Sequence, residues 1–136
     1  MTRTLAIDYG QKRIGLAITD ERGKIALPLA TVPTGKSFEE STRNIESATK
    51  DYTLRNLVVG LPLLPNGKEG DMSRATRAFA EHLAHYFSLP VVLFDERFTS
   101  IRAHQSLGAF SRKARTKVVD RTAALILLQD YLGNRS

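Results

Sequence analysis

Thr4-Leu5-Ala6-Ile7-Asp8-Tyr9-Gly10-Gln11-Lys12-Arg13-Ile14-Gly15-Leu16-Ala17-Ile18-Thr19 holds two apolar runs on either side of a short polar turn. The first run, Thr4 to Tyr9, predicts a buried strand, and Arg13 to Thr19 predicts a second strand reached through Gly10-Gln11-Lys12. Asp20-Glu21-Arg22-Gly23-Lys24 carries turn chemistry, and Ile25 to Val32 alternates well enough to be a third strand. Three strands joined by tight turns make an antiparallel meander, the frame onto which the rest of the chain is added.

Ser37 before Glu39-Glu40 predicts an N-cap with an acidic first turn, opening a helix that runs to about Asp51. Leu57-Val58-Val59-Gly60 is a short apolar strand closed by Leu61-Pro62, and Pro65-Asn66-Gly67 is a turn. Met72, Ala75, Phe79, Leu83 and Tyr86 then recur at helical spacing. Val91-Val92-Leu93-Phe94 is all apolar, the pattern of a strand buried on both faces. A helix from about Ser100 to Phe110, a basic loop from Ser111 to Lys117 and a last helix from about Lys117 to Leu132 complete the chain. The order predicts an α/β fold in one domain over residues 1–136: a mixed five-stranded sheet, the meander plus two further strands, with helices on both faces.

The chain has 136 residues, no cysteine, and 20 Lys and Arg against 14 Asp and Glu, a net charge of +6. Without cysteine the fold uses neither disulfides nor thiolate-bound zinc, which suits a reducing cytosol. No apolar run reaches the roughly 18 residues of a membrane span, and Met1-Thr2-Arg3-Thr4 lacks the apolar core of a secretory signal, so a cytoplasmic protein with no membrane partner is expected. The positive balance points to a polyanion as partner.

Against that basic background stand three acidic islands: Asp8 at the end of the first strand, Asp95-Glu96-Arg97 after an apolar run, and Asp120 in front of the apolar Ala123 to Leu128. Each is placed where a strand ends or a helix begins, so distant segments can deliver carboxylates to one point, as a Mg²⁺ or Mn²⁺ site for phosphodiester chemistry requires. A strand-end aspartate also caps turns, and a helix-start aspartate also complements the macrodipole; these are the plain alternatives for Asp8 and Asp120. Asp-Glu-Arg occurs twice. Residues 20–22 precede Gly23 between two strands and read as a solvated turn, whereas residues 95–97 cap a buried strand, with Glu96 as the ligand there. Asp95 is either a further ligand or a group that orients Arg97 or caps the helix begun by Thr99 or Ser100. The basic residues Arg112, Lys113, Arg115, Lys117 and Arg121 lead into Asp120, and Lys12 and Arg13 stand near Asp8, positions suited to holding a phosphate chain. Phe98 and Phe110 can stack on bases or pack in the core. His82 and His85 read as a boundary and a surface histidine.

The motifs Asp8-Tyr9-Gly10-Gln11-Lys12-Arg13-Ile14-Gly15, Val59-Gly60-Leu61-Pro62, Asp95-Glu96-Arg97-Phe98-Thr99 and Val119-Asp120 together resemble the YqgF/RuvX family, and the element order resembles the RNase H-like fold. The resemblance spans essentially the whole chain. It implies a Holliday-junction-resolvase-like nuclease of two-metal type, for which a role in 5'-end maturation of pre-16S ribosomal RNA has been suggested. Asp8 would bridge the ions and Glu96 and Asp120 would complete the set, with Arg97 among the nucleic-acid contacts. Related resolvases pair two acids at i and i+3 on the last helix, whereas here the second position is Ala123. The implied substrate is structured RNA, with branched DNA as the alternative and ribosomal particles as further partners. Two other readings stand beside it: Asp8-x-Gly10 and Gly15 also resemble the phosphate-gripping hairpin of actin-like ATPases, and the basic surface alone suits a non-catalytic nucleic-acid-binding module.

Overall fold

The computed structural model describes residues 2–95 and 112–133, for residues 112–122 the backbone only. Its elements are β1 (Arg3–Tyr9), β2 (Arg13–Thr19), β3 (Ala26–Pro33), α1 (Phe38–Thr49), β4 (Leu54–Leu61), α2 (Asp71–Phe87), β5 (Val91–Asp95) and α3 (Arg112–Gly133). The strands form one sheet in the order β3-β2-β1-β4-β5, with β1, β2 and β3 antiparallel and β1, β4 and β5 parallel. The meander and the two added strands are as predicted. The helix predicted over about Ser100 to Phe110 lies outside the described residues, as do Glu96, Arg97, Phe98 and His104.

Side chains alternate across the sheet, so each central strand feeds two cores. Leu5 and Ile7 of β1, Leu57 and Val59 of β4, and Phe79 and Leu83 of α2 pack on one face with Ile45 of α1. Ala6, Ala17 and Val58 pack on the other face against Ala124, Leu127 and Leu128 of α3. Burial on both sides explains why β1, β4 and β5 read as unbroken apolar runs. On the α3 face the sheet offers small residues: Ala6 and Ala17 are register partners, which lets the helix lie close on β1 and β2.

At the edge where β1 begins, polar side chains tie the layers together. Thr4 Oγ1 donates to Asn56 Oδ1 at 2.6 Å, and Asn56 Nδ2 donates to the Tyr131 hydroxyl at 3.3 Å. Tyr131 also meets Phe94 edge-on, ring centres 6.3 Å apart. The C-terminal part of α3 is thus fastened to β4 and β5.

Three boundaries differ from the sequence expectation. β4 starts at Leu54, earlier than the apolar run, because Arg3 and Thr4 supply pairing partners for Leu54 and the polar Asn56 across a bulge. β3 is shifted to Ala26–Pro33, paired by β2 from Thr19 to Arg13. The largest change is at α3, which opens at Arg112, so the expected basic loop is helical and Asp120 lies in the helix body, not in its first turn. The physical reason is propensity: Arg, Lys and Ala are strong helix formers, and Arg112-Lys113-Ala114-Arg115 contains no breaker.

Candidate functional site

β1, β4 and β5 run parallel, so their C-terminal ends share one edge of the sheet, here called the carboxyl edge, where the β1–β2 turn also lies. Asp8 is half-buried there as the next-to-last residue of β1. Its parity with Ala6 puts it on the α3 face. Its register partner on β2 is Gly15, and one step past the Ile7–Val59 pair puts Gly60 of β4 on its other flank. Glycines therefore stand level with Asp8 on both neighbouring strands.

Next to it, Tyr9 turns to the opposite face and stacks on Phe79 at 4.3 Å between ring centres, with Phe38 at 6.4 Å. Burial raises the Tyr9 phenol above its ordinary pKa. This ring anchors the strand end that carries Asp8. The adjoining turn is equally fixed. Thr34 donates through Oγ1 to Gly10 O at 2.8 Å and through its amide to Lys12 O at 3.0 Å. A Cβ at Gly10 would lie 2.6 Å from Arg13 O, so only glycine fits this turn. Gln11 reaches Met72 at the start of α2, Nε2 to Sδ 3.7 Å. Lys12 is exposed at the turn, and Arg13 is half-buried on the face that Asp8 occupies, given its parity with Gly15 and Ala17.

Asp95 ends β5 and is exposed. Val91 and Leu93 belong to the core under α1 and α2, whereas Val92 and Phe94 belong to the α3 core, so the alternation assigns Asp95 to the face opposite Asp8. Two strand spacings, about 10 Å, separate the two positions across the sheet. Among the described residues no group of three or more His, Asp and Glu gathers as a metal would require.

On α3 the buried residues Ala123, Ala124, Leu127 and Leu128 mark the stripe turned to the sheet. Position 120 falls on that stripe, one turn before Ala124, by the 3.6-residue period. Positions 117 and 113 fall on it one and two turns earlier, while position 115 falls on the far side of the helix and positions 112 and 121 on its flanks. The basic segment is thus spread around a helix. The other Asp-Glu-Arg copy is a turn, as expected. Lys24 and Ile25 donate their amides to Asp20 Oδ1 at 2.9 and 3.1 Å, and these bonds, with Arg22 at 3.2 Å, pull the carboxyl down to about 2. His82 is half-buried between Phe38 and Tyr86, and His85 is exposed, also as expected.

Sequence reasoning misses the flanking glycines, although Gly15 and Gly60 both stand in recognisable motifs. Their role emerges from strand register, which pairing partners alone define.

The family described as RuvX, Holliday junction resolvase, matches residues 2–134. The chain belongs to this family. A relative from Protochlamydia amoebophila, named "Putative pre-16S rRNA nuclease", is 39% identical over 142 residues, covering 98% of this chain and 95% of the relative. Among solved structures, Thermus thermophilus RuvC has a TM-score of 0.54 at 14% identity, covering 97% of both chains. RuvC of the same organism in complex with a Holliday junction substrate has a TM-score of 0.53 at 14% identity, covering 98% of this chain and 97% of that one. At these identities the likeness to RuvC establishes the RNase H-like architecture of this RuvX-family sheet.

Proposed function

We propose that this chain is a divalent-metal-dependent endonuclease acting on structured RNA, in the 5'-end maturation of pre-16S ribosomal RNA in the cytoplasm. The observation that carries this reading is Asp8: a half-buried carboxylate at the carboxyl edge, on the α3 face, with glycine on both strand flanks. Magnesium and manganese favour hard oxygen donors and keep several of their waters, so a carboxylate at a half-open edge of the sheet fits such an ion. Asp120 supports the same point of convergence. Tyr131 hydrogen-bonds Asn56, which is level with Thr4. From there position 120 is about 16 Å back along α3, on the stripe turned to the sheet face that Asp8 occupies. Glu96 comes directly after Asp95 at the end of β5 and is the third ligand of the proposal. Asp95, assigned by the register to the other face, serves instead to orient Arg97.

A metal held by Asp8, Glu96 and Asp120 would polarise the scissile phosphate and supply a hydroxide at neutral pH. The chain's own groups do the rest. The rigid β1 end keeps Asp8 in place, Lys12 and Arg13 line one rim, and Lys113 and Lys117 stand beyond Asp120 on the other, where they would hold the phosphate chain against local acidic charge. The pre-16S nuclease name of relatives aligned over nearly the whole chain supports RNA as substrate. The solved RuvC complex with a Holliday junction supports branched DNA as the second reading of the same chemistry. A ribosomal RNA precursor and a four-way DNA junction incubated in parallel with Mn²⁺ test the choice. Preferential cleavage of the RNA is expected, preferential cleavage of the junction would reverse the assignment, and cleavage of neither would remove the nuclease reading.

A further inference from the structure

Residues 62–70, between β4 and α2, rise from the carboxyl edge beside Asp8, since β4 is the strand next to β1. They form a braced finger. Leu63 and Glu69 pair as an antiparallel bridge, Leu64 N donates to Lys68 O at 2.8 Å, and Gly67 N donates to Leu64 O at 2.8 Å. Lys68 N donates to Asn66 Oδ1 at 2.9 Å, and Gly67 takes the left-handed φ of 85° that closes the tip. The base is fastened to α2. Ser73, fully buried, donates its hydroxyl to Pro62 O, and both oxygens of Glu69 accept from Arg77, at 2.8 and 2.7 Å. The Arg77 hydrogen bonds hold the Glu69 carboxyl below its ordinary pKa.

The tip carries a different chemistry from its base. Leu64 is 46% exposed, and Pro65, Asn66 and Lys68 are exposed around it. A single exposed leucine is ordinary on a protein surface. This one sits on a hydrogen-bonded turn, next to the proposed cleavage site, with a lysine beside it and the one carboxylate of the finger neutralised by Arg77. A flat apolar face bordered by phosphate matches that combination, and apolar side chains inserted at base steps are a known means of unstacking bases.

We infer that the finger of residues 62–70 is a positioning element for the nucleic-acid substrate: Leu64 packs against the face of an unstacked nucleobase at a helix end or branch, and Lys68 meets the adjoining phosphate. The inference rests on the nuclease reading and adds to it what selects structured over unstructured strands. The base removed from its stack fixes the distance from the branch to Asp8, so the finger sets where along the strand cleavage falls.

The test uses the full chain and an RNA hairpin carrying 2-aminopurine at its single-strand junction, with chelator present for binding and Mn²⁺ for cleavage. The parent is expected to raise 2-aminopurine fluorescence on binding, as the base leaves its stack. Leu64→Ala should abolish that rise and weaken hairpin binding roughly tenfold, with a short unstructured oligonucleotide bound as before. Leu64→Phe should restore both. Lys68→Ala should weaken both RNAs alike and flatten their salt dependence. A Leu64→Ala protein that keeps the parent's fluorescence rise, affinity and cleavage position would overturn the finger and leave the nuclease reading intact. A parent that neither binds nor cleaves the RNA would overturn both.

Discussion

Asp8 stands at a position where three local facts agree: a strand end held by the half-buried Tyr9 ring, glycine on either flank, and a half-buried carboxylate on the face that α3 covers. Asp8→Asn keeps the shape and removes the charge, so cleavage should fall below detection while RNA affinity holds or rises. Binding by fluorescence anisotropy beside a cleavage assay separates the two, and unchanged turnover in the folded variant would exclude the mechanism. Asp20 belongs to the other Asp-Glu-Arg copy and answers to a different physics. Its carboxyl, bonded chiefly by the Lys24 and Ile25 amides, sits at about 2 against an ordinary 3.8. A lowered folded-state pKa means its stabilisation is present above about 3.8 and disappears as the pH falls toward 2. Parent and Asp20→Asn should therefore differ in thermal midpoint at pH 6 and converge by pH 2. A difference independent of pH over that window would mean that the amide bonds do not depend on ionisation. The same residue type thus serves two ends, and the residues around it decide which: Gly23 and an exposed turn for Asp20, a buried strand between glycines for Asp8.

At the scale of elements, the strands were legible because two-sided burial writes unbroken apolar runs, and α1 and α2 because Ser37 caps one and Phe79, Leu83 and their companions space the other. The start of α3 was not, because its sequence gives opposed signals. Arg112, Lys113, Arg115 and Lys117 favour the helix by propensity yet oppose its macrodipole at the N-terminus, and Asp120 mimics an N-terminal acid. Packing settles it: the stripe of Ala123, Ala124, Leu127 and Leu128 on the Ala6–Ala17 surface holds the helix. The flanks of Asp8 were illegible for a different reason, since register is a relation between strands that no single segment encodes. A helical basic segment also sharpens what the cations should do. Positions 113 and 117 share the stripe of Asp120, and position 115 faces away, so Lys113→Ala with Lys117→Ala should weaken RNA binding more than Arg115→Ala. Each lost phosphate contact should lower the slope of log affinity against log salt by about 0.7 on single strands and about 0.9 on duplex DNA. Equal effects from all three positions would mean that the segment acts only through its net charge.

For the whole molecule, the proposed metal site would join segments that are remote in sequence, β1, the residue after β5 and α3, so binding an ion there should stabilise the fold itself. Without metal, three carboxylates brought together repel one another, and removing one is neutral or favourable. In chelator, then, Asp8→Asn should melt at or above the parent's temperature. With metal at a hundred times its dissociation constant, mass action adds about 2.7 kcal/mol to a protein that binds it only when folded. For a domain of this size that shifts the midpoint by about 5 to 10 °C. The parent should show this gain with Mn²⁺, and Asp8→Asn and Asp120→Asn should lose most of it, because each removes one arm of a site assembled only by folding. Differential scanning calorimetry across a Mn²⁺ series reads the effect without any substrate. A parent whose midpoint ignores Mn²⁺, or an Asp8→Asn protein that melts well below the parent in chelator, would mean that these acids hold the fold together and do not hold an ion.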